Sequence, residues 1–235
     1  MKEKSKSMRP DGRSDDQLRP MEAKTGVVPR ADGSALFKIG KTVAYAAVYG
    51  PRELHPKFLQ NPEKGILRCN YNMMSFSGSG ERVRPGPSRR SREISMVTEK
   101  ALIPVLSLEQ YPNSVIDIFV ELLQTDSGTR CAGITAAAMA LADAGIPMKD
   151  LVSAVSVGLV KNNPVVDLTK EEEDVEGAVD IAYAATPRKK EITLLQLDGI
   201  ITKDQLRQAL LMGFDACNKI YKVQQNALRE RYKNE

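Results

Sequence analysis

The chain has 235 residues, a formal net charge of +4, and 42% apolar and 27% charged residues, as in ordinary soluble globular proteins. No apolar run approaches the roughly 20 residues that a membrane-spanning helix needs. The charged first 20 residues are also unlike a secretory signal, so we expect a cytoplasmic protein with no membrane partner. One histidine and three widely spaced cysteines argue against histidine-based catalysis, disulfides and zinc sites.

The first part of the chain predicts an arm followed by strands. We interpret residues 1–20 as an irregular or partly mobile arm and residues 21–235 as one compact domain, because no proline-rich linker divides the chain. The next three strands are joined by links too short for crossover helices, which predicts an antiparallel meander. The predicted strands are 21–28, 34–39, 42–49 and 66–74, with loops at 50–65 and 75–88.

The second part of the chain alternates between helices and strands. Helices are predicted at 89–108, in the alanine-rich run Ala132–Leu141, and at 202–232. The second has Ser127 or Thr129 as its cap and is stopped by Gly145–Pro147. Strands are predicted at 115–123, 151–159, 165–168, 177–185 and 191–197. This order predicts an α+β fold of mixed sheets with helices covering one side of each.

The stretch Leu122–Pro147 places a strand, a polar turn and an alanine-rich helix in succession. A helix N-terminus presents free N–H groups and the positive end of the helix dipole, which suits an anion. Arg130 adds a planar cation close to that end. Equally, the glycine could simply make the turn and the helix could be core, so these residues alone leave both interpretations open.

Two charge blocks and one buried acid also indicate a polar site. Five arginines lie between Arg82 and Arg92, at the start of a predicted helix where cations oppose the helix dipole. Five acids lie between Glu171 and Glu176, a pattern more typical of a solvated loop. Asp180 stands inside an apolar strand, where a carboxylate needs a partner or a metal.

Several stretches together resemble the RNase PH family of phosphorolytic exoribonucleases, and within it the catalytic ring subunits of the archaeal exosome. They are Arg9–Arg13, Ala31–Ala35, Ala46–Pro51, Pro87–Arg90, Asp126–Arg130, Ala140–Met148 and Thr193–Gly199. Each stretch is weak alone, but the set follows the family's order and covers nearly the whole chain.

The resemblance implies an RNase PH-like fold of βαβα repeats and a hexameric ring. In that ring the chain would alternate with a homologous inactive subunit, and S1/KH-type RNA-binding cap proteins would dock on it. Inorganic phosphate would attack the 3′-terminal phosphodiester of RNA and release nucleoside diphosphates. The reverse reaction would add tails to RNA.

The resemblance also assigns roles to individual residues. Arg89 and Arg90 match the family's paired arginines, which hold the phosphodiester or the incoming phosphate. Asp174 and Asp180 match two carboxylates that hold Mg²⁺ or Mn²⁺, with one of them handling a proton. Phosphate binding is assigned to Gly128, Thr129, Arg130 and Arg90, and RNA binding to Arg89, Lys57, Phe58 and Arg68.

Two other interpretations fit the same resemblance. The chain could be a non-catalytic RNA-binding ring subunit, or a homohexameric enzyme that trims transfer-RNA 3′ ends. The joint presence of Arg89, Arg90, Gly128–Arg130 and Asp180 favours a catalytic subunit. The long loop at 51–65 and the overall match favour the exosome form.

Overall fold

Two β-sheets with a buried helix between them organise the chain. The computed structural model describes residues 9–80, 82–84 and 86–233. The first sheet has the order β1-β2-β3-β5-β4, from β1 (Met21–Thr25), β2 (Gly33–Ile39), β3 (Thr42–Glu53), β4 (Ile66–Met73) and β5 (Ser114–Gln124). The second has the order β7-β6-β8-β9, from β6 (Ser153–Val160), β7 (Asn163–Val166), β8 (Val179–Thr186) and β9 (Glu191–Asp198). The helices are α1 (Arg89–Leu102), α2 (Thr129–Asp143), α3 (Lys170–Glu173) and α4 (Lys203–Lys233).

The pairing of the strands confirms the predicted antiparallel meander and shows which strands of each sheet run parallel. β1, β2 and β3 pair in antiparallel succession. β4 pairs with β5 in parallel, and the connection between them carries α1. The first sheet is therefore mixed, as predicted, whereas all three strand pairs of the second sheet are antiparallel.

Helix α2 is the buried centre of the fold. It packs against β2, β3 and β5 of the first sheet and against β6 and β8 of the second. Thirteen of its fifteen residues are buried, so it is apolar all round and not amphipathic. Small side chains permit this close packing: a Cβ on Gly33 would lie only 2.2 Å from the backbone nitrogen of Ala144. As a result, the N-terminus of α2 is fixed between the two sheets.

Three local expectations are corrected by the structure. Neither Ser127 nor Thr129 caps α2; its N-cap is Gly128 in the left-handed region, with no side-chain cap. Helix α1 ends at Leu102, because Pro104 has no N–H to continue the helix, and a 3₁₀ turn follows. The acidic run contains the short helix α3, which starts with a reciprocal capping box between Thr169 and Glu172.

The arm has no helix or strand over residues 9–20, in agreement with the predicted irregular structure; residues 1–8 lie outside the described residues. Its arginines are nevertheless buried in ion pairs. Arg9 donates two hydrogen bonds to the carboxylate of Glu172, at 2.7 and 2.6 Å, and Arg19 binds Asp167. The predicted division of the chain at residue 20 stays a prediction.

Helix α4 is the last element of the chain and is long and amphipathic, as the spacing of its apolar residues predicted. It packs against β1, β6, β7 and β8 and is preceded by Thr202, which accepts a hydrogen bond from the backbone N–H of Gln205. Within the described part of the chain, no helix is both long and apolar enough to cross a membrane.

Gly158→Ala is expected to destabilise the fold where β6 pairs with β8. Gly158 pairs with Asp180 across β6 and β8, and an added Cβ would lie 1.8 Å from the carbonyl oxygen of Val179. Overpacking of this kind lowers the free energy of unfolding by about 1–3 kcal/mol or more, measurable by urea denaturation. Gly80→Ala is the control because no atom of the described residues lies within 4 Å of its added Cβ. Equal stability of the two variants would contradict this strand pairing.

Candidate active site

Two adjoining cavities lie at the N-terminus of α2, with volumes of about 400 and 620 Å³. Both are lined by Arg90, Arg130, Glu173 and Asp180. The first cavity is otherwise lined chiefly by Gly78–Gly80, Thr125–Thr129, Ser156 and Lys170. The second is otherwise lined chiefly by Glu93, Ala178, Val179 and Gln196–Gly199. The shared wall therefore carries two guanidinium groups and two carboxyl groups.

The polar turn before α2 is shaped by two consecutive left-handed residues. Ser127 has φ 58° and Gly128 has φ 63°. The Thr42 hydroxyl donates to the carbonyl oxygen of Ser127 at 2.8 Å and accepts from the N–H of Asp126 at 3.0 Å. These bonds fix the turn from the protein side. The first N–H groups of α2 have no partner within the helix, so this end of the first cavity is suited to an anion.

Two arginines bring positive charge to the shared wall. Arg90 is the second residue of α1, whose start is fixed by reciprocal hydrogen bonds between Ser88 and Ser91. Arg130 has one terminal nitrogen 3.7 Å from the carboxylate of Glu93, while its buried Nε has no hydrogen-bond partner among the described residues. A buried donor without a partner is costly.

Two carboxyl groups oppose these arginines. Asp180 accepts a 2.7 Å hydrogen bond from the Ser156 hydroxyl, and Glu173 accepts one from the Ser127 hydroxyl. Burial raises the pKa of Glu173, the bond from Ser127 opposes the rise, and the charge of Asp180 adds to it. The site is therefore suited to an anion between its cations, and it also contains acids able to take part in proton transfer.

Comparison with known proteins places the chain in a family. Residues 17–147 match domain 1 of the 3′ exoribonuclease family, and residues 150–216 match its domain 2. The chain belongs to the RNase PH family of 3′ exoribonucleases. This membership confirms the predicted family and enzyme class.

Individual relatives give the same result. The exosome complex component Rrp41 of Thermococcus kodakarensis is 51% identical over 222 residues, covering 94% of this chain and 88% of the relative. That of Methanopyrus kandleri is 49% identical over 225 residues, covering 96% and 93%. The crystal structure of rice Rrp46 superposes with a TM-score of 0.82 at 25% identity, covering 94% of this chain and 100% of the rice chain. The predicted RNase PH-like fold is confirmed.

The site of this RNase PH family member collects part of the residue set that the sequence predicted. Arg90, Gly128, Thr129, Arg130 and Asp180 all line the first cavity. The sequence missed Glu173 and Ser156. Glu173 could not be distinguished within a run of acids, because only the short helix α3 directs it to the cavities. Ser156 gave no signal within its apolar strand.

Two predicted catalytic residues, Asp174 and Arg89, line neither cavity, and their roles stay predictions. Asp174 accepts a hydrogen bond from the Lys170 amine at 2.5 Å, is 62% exposed and lines neither cavity. Arg89 is exposed at the start of α1 and also lines neither cavity. Among the residues that the structure describes, no group of three or more histidine, cysteine or acidic side chains could hold a metal ion.

The predicted RNA-binding residues occupy two other places on the surface. Lys57 and Phe58 lie in a 3₁₀ turn, and Phe58 is 83% exposed. Arg68 extends from β4 and binds the carboxylate of Asp117 at 2.5 and 3.0 Å. Their contact with RNA stays a prediction.

The three cysteine thiols are expected to be unreactive toward thiol reagents in the folded protein. Burial raises the pKa of Cys69 and Cys131 to about 12, and raises that of Cys217 well above its usual value. At pH 8 only about one thiol in ten thousand would then be ionised, and the thiolate is the reactive form. Thiol titration with an aromatic disulfide should find no reactive cysteine in native protein and three in denaturant. Rapid reaction of native Cys131, which lines the first cavity, would contradict this burial.

Proposed function

We propose that this 3′ exoribonuclease works by phosphorolysis. Inorganic phosphate attacks the phosphorus of the 3′-terminal phosphodiester, and the bond to the 3′ oxygen of the preceding nucleotide breaks. That oxygen takes a proton, and a nucleoside diphosphate leaves. One phosphate linkage replaces another, so excess nucleoside diphosphate extends RNA in the reverse direction.

The observation that carries this proposal is the pair of adjoining cavities with Arg90 and Arg130 on their shared wall. The reaction brings two anions together, and fixed positive groups must offset their repulsion. Phosphoryl transfer needs positioning and charge stabilisation more than covalent chemistry by the enzyme. The turn at Gly128 and Thr129 holds the attacking phosphate in the first cavity, and the RNA end enters through the second.

Asp180 is the carboxylate best placed to handle the proton. It lies at the shared wall and its orientation is fixed by the hydrogen bond from Ser156. Its ionised form also offsets the charge of the two arginines when the cavities hold no substrate. Glu173 adds a second carboxyl group at the same wall.

The divalent ion, Mg²⁺ or Mn²⁺ on Asp174 and Asp180, stays a prediction. We assign no step to it, because Asp174 pairs with Lys170 and lines neither cavity. Treatment with EDTA followed by addition of each ion tests the requirement. Activity restored by one of the ions would support a metal site, and activity unaffected by EDTA would contradict a requirement for a metal ion.

The partners follow from the relatives and from one exposed surface. Relatives named as exosome complex components support an assembly with other subunits and RNA. The alternation with an inactive homologous subunit in a ring, and the RNA-binding S1/KH-type caps, are proposed from the family resemblance. Edge strand β9 and α4 expose apolar side chains suited to a neighbouring subunit. These are Ile192, Leu195, Leu197 and Leu211, which are 42–63% exposed. The expected location is the cytoplasm.

The decisive experiment incubates labelled RNA with the purified chain, alone and with its homologous subunit, in the presence and absence of phosphate. Nucleoside diphosphates that appear only with phosphate are the expected product. Nucleoside monophosphates would instead indicate hydrolysis. Bound RNA without any product would favour a non-catalytic ring subunit, and trimming of transfer-RNA ends by the chain alone would favour the homohexameric enzyme.

A further inference from the structure

A buried ion pair lies directly behind the turn that precedes α2. Arg19 donates from Nε to one carboxylate oxygen of Asp167 at 2.9 Å and from Nη2 to the other at 2.7 Å. Its remaining terminal nitrogen, Nη1, donates to the backbone carbonyl of Asp126 at 2.6 Å. The side chains of Arg19 and Asp167 are only 6% and 2% exposed. The guanidinium of Arg19, in the arm, thus links Asp167, which follows β7, to Asp126 in the turn.

Asp167 is itself held in place from several sides. Its backbone is in the left-handed region, with φ 58°, and its N–H donates to the carbonyl of Ser156 at 2.7 Å. Its own carbonyl oxygen accepts from Arg9 at 2.9 Å and from Arg13 at 3.0 Å. A non-glycine residue holds this conformation only where its surroundings over-determine it. Asp167 is therefore a rigid anchor for Arg19.

The geometry has a specific consequence for the turn. Arg19 holds the carbonyl of Asp126 on the protein side, while the Thr42 hydroxyl holds the carbonyl of Ser127. Both carbonyl oxygens of the turn thus have a side-chain donor on the protein side. Nη2 of Arg19 lies 3.6 Å from the place that a Cβ on Gly128 would occupy, so the guanidinium supports the turn at that residue.

We propose that Arg19 and Asp167 are positioning residues that hold the turn in its phosphate-binding form. The inference rests on the proposed function, because it takes the ligand of the turn to be inorganic phosphate. Neither residue touches the reacting atoms. Their role is to keep the N–H groups of Gly128 and Thr129 in place before phosphate arrives, and such pre-organisation lowers the free-energy cost of binding.

The charge of the pair supports this role. Burial alone lowers the pKa of Arg19, but the hydrogen bonds and charge of Asp167 outweigh it, and the charge of Asp126 adds to the upward shift. Arg19 thus stays protonated and fully engaged by the protein. Asp167 prevents it from acting as a separate anion site beside the turn.

The test compares Arg19→Lys and Asp167→Asn with Arg231→Lys in the assembled ring. Lysine keeps the charge of Arg19 but cannot contact Asp126 and both oxygens of Asp167 together. Arg231→Lys is the matched control, because Arg231 also pairs with a buried carboxylate, that of Asp143, but at the opposite end of α2 from the turn. The readouts are KM for phosphate, KM for RNA, kcat and melting temperature.

We expect KM for phosphate to rise about tenfold or more in the Arg19 and Asp167 variants, as for loss of charge-assisted hydrogen bonds, with KM for RNA unchanged. Arg231→Lys should lower the melting temperature with little change in KM for phosphate. Equal rises in all three variants, or a fall in kcat and melting temperature with KM for phosphate unchanged, would overturn the proposal.

Two further measurements test the proposal if a variant does not fold or if the ring is catalytically inactive. Arg19→Gln is the alternative if Arg19→Lys does not fold, because an amide can still donate to the carbonyl of Asp126. Failure of both to fold, when Arg231→Lys folds, would make the pair a folding element only. Binding of radiolabelled phosphate to the ring without RNA tests the pair independently of catalysis. Wild-type protein that binds phosphate but releases no nucleoside diphosphate would refute the proposed function and leave the positioning test intact.

Discussion

Asp180→Ala is expected to abolish phosphorolysis, with a fall in kcat of about 10²–10⁴, the range for loss of a general acid or base. RNA affinity should stay nearly unchanged, because removal of a negative charge from the wall does not remove any cation that contacts RNA. Single-turnover assays with saturating RNA, together with filter binding, separate the two quantities. The side chain lies at the wall shared by both cavities and is oriented by Ser156.

Glu176→Ala is the control for that experiment. Glu176 is an exposed acid four residues before Asp180, and it lines neither cavity, so its loss should leave kcat within about twofold, as expected for a surface substitution. Loss of RNA binding by Asp180→Ala, with the rate per bound RNA unchanged, would show that this carboxylate organises binding and not chemistry.

Arg90→Glu is expected to weaken phosphate binding and to lower turnover by about 10²–10³, the range for removal of one fixed group that stabilises transition-state charge. Arg90 lines both cavities, so reversing its charge would repel the attacking phosphate and the phosphodiester alike. The measurement is kcat/KM for phosphate at saturating RNA. A double change, Arg89→Glu with Arg90→Glu, should also weaken RNA binding, in a manner that depends on salt.

Arg92→Glu is the matched control, since it makes the same charge change on the same helix. Arg92 is exposed and lines neither cavity. A similar loss in Arg92→Glu and Arg90→Glu would mean that only the general positive field of α1 matters. Unchanged affinity for both phosphate and RNA in the double variant would contradict the assignment of the paired arginines.

The sequence predicted most of the fold because its periodic patterns are strong. Strands such as β2 and β5 carry continuous or alternating apolar residues, and α4 carries a helical apolar stripe. The ends of elements were predicted less well. The start of α2 depends on two successive left-handed residues that are fixed by Thr42, a residue far away in the sequence. No local rule could have shown that contact.

The candidate site was also predicted only in part. Gly128, Thr129 and Arg130 adjoin each other in sequence, so one motif predicted them together and the structure places them together. Glu173 and Asp174 are neighbours in an acidic run, and no sequence pattern could show which of them would be directed inwards. In the structure, the capping of α3 by Thr169 decides this, since Glu173 lies at the shared wall and Asp174 points to Lys170.

The enclosure of α2 by both sheets has a consequence for how the enzyme fails on heating. Beyond its first turn, which faces the first cavity, α2 is covered on all sides and cannot open locally, because those backbone amides reach solvent only when the two sheets separate. Hydrogen exchange at these amides should therefore report the global unfolding equilibrium. The turn at its N-terminus would keep its shape up to that transition, so heat inactivation should coincide with cooperative melting and not precede it.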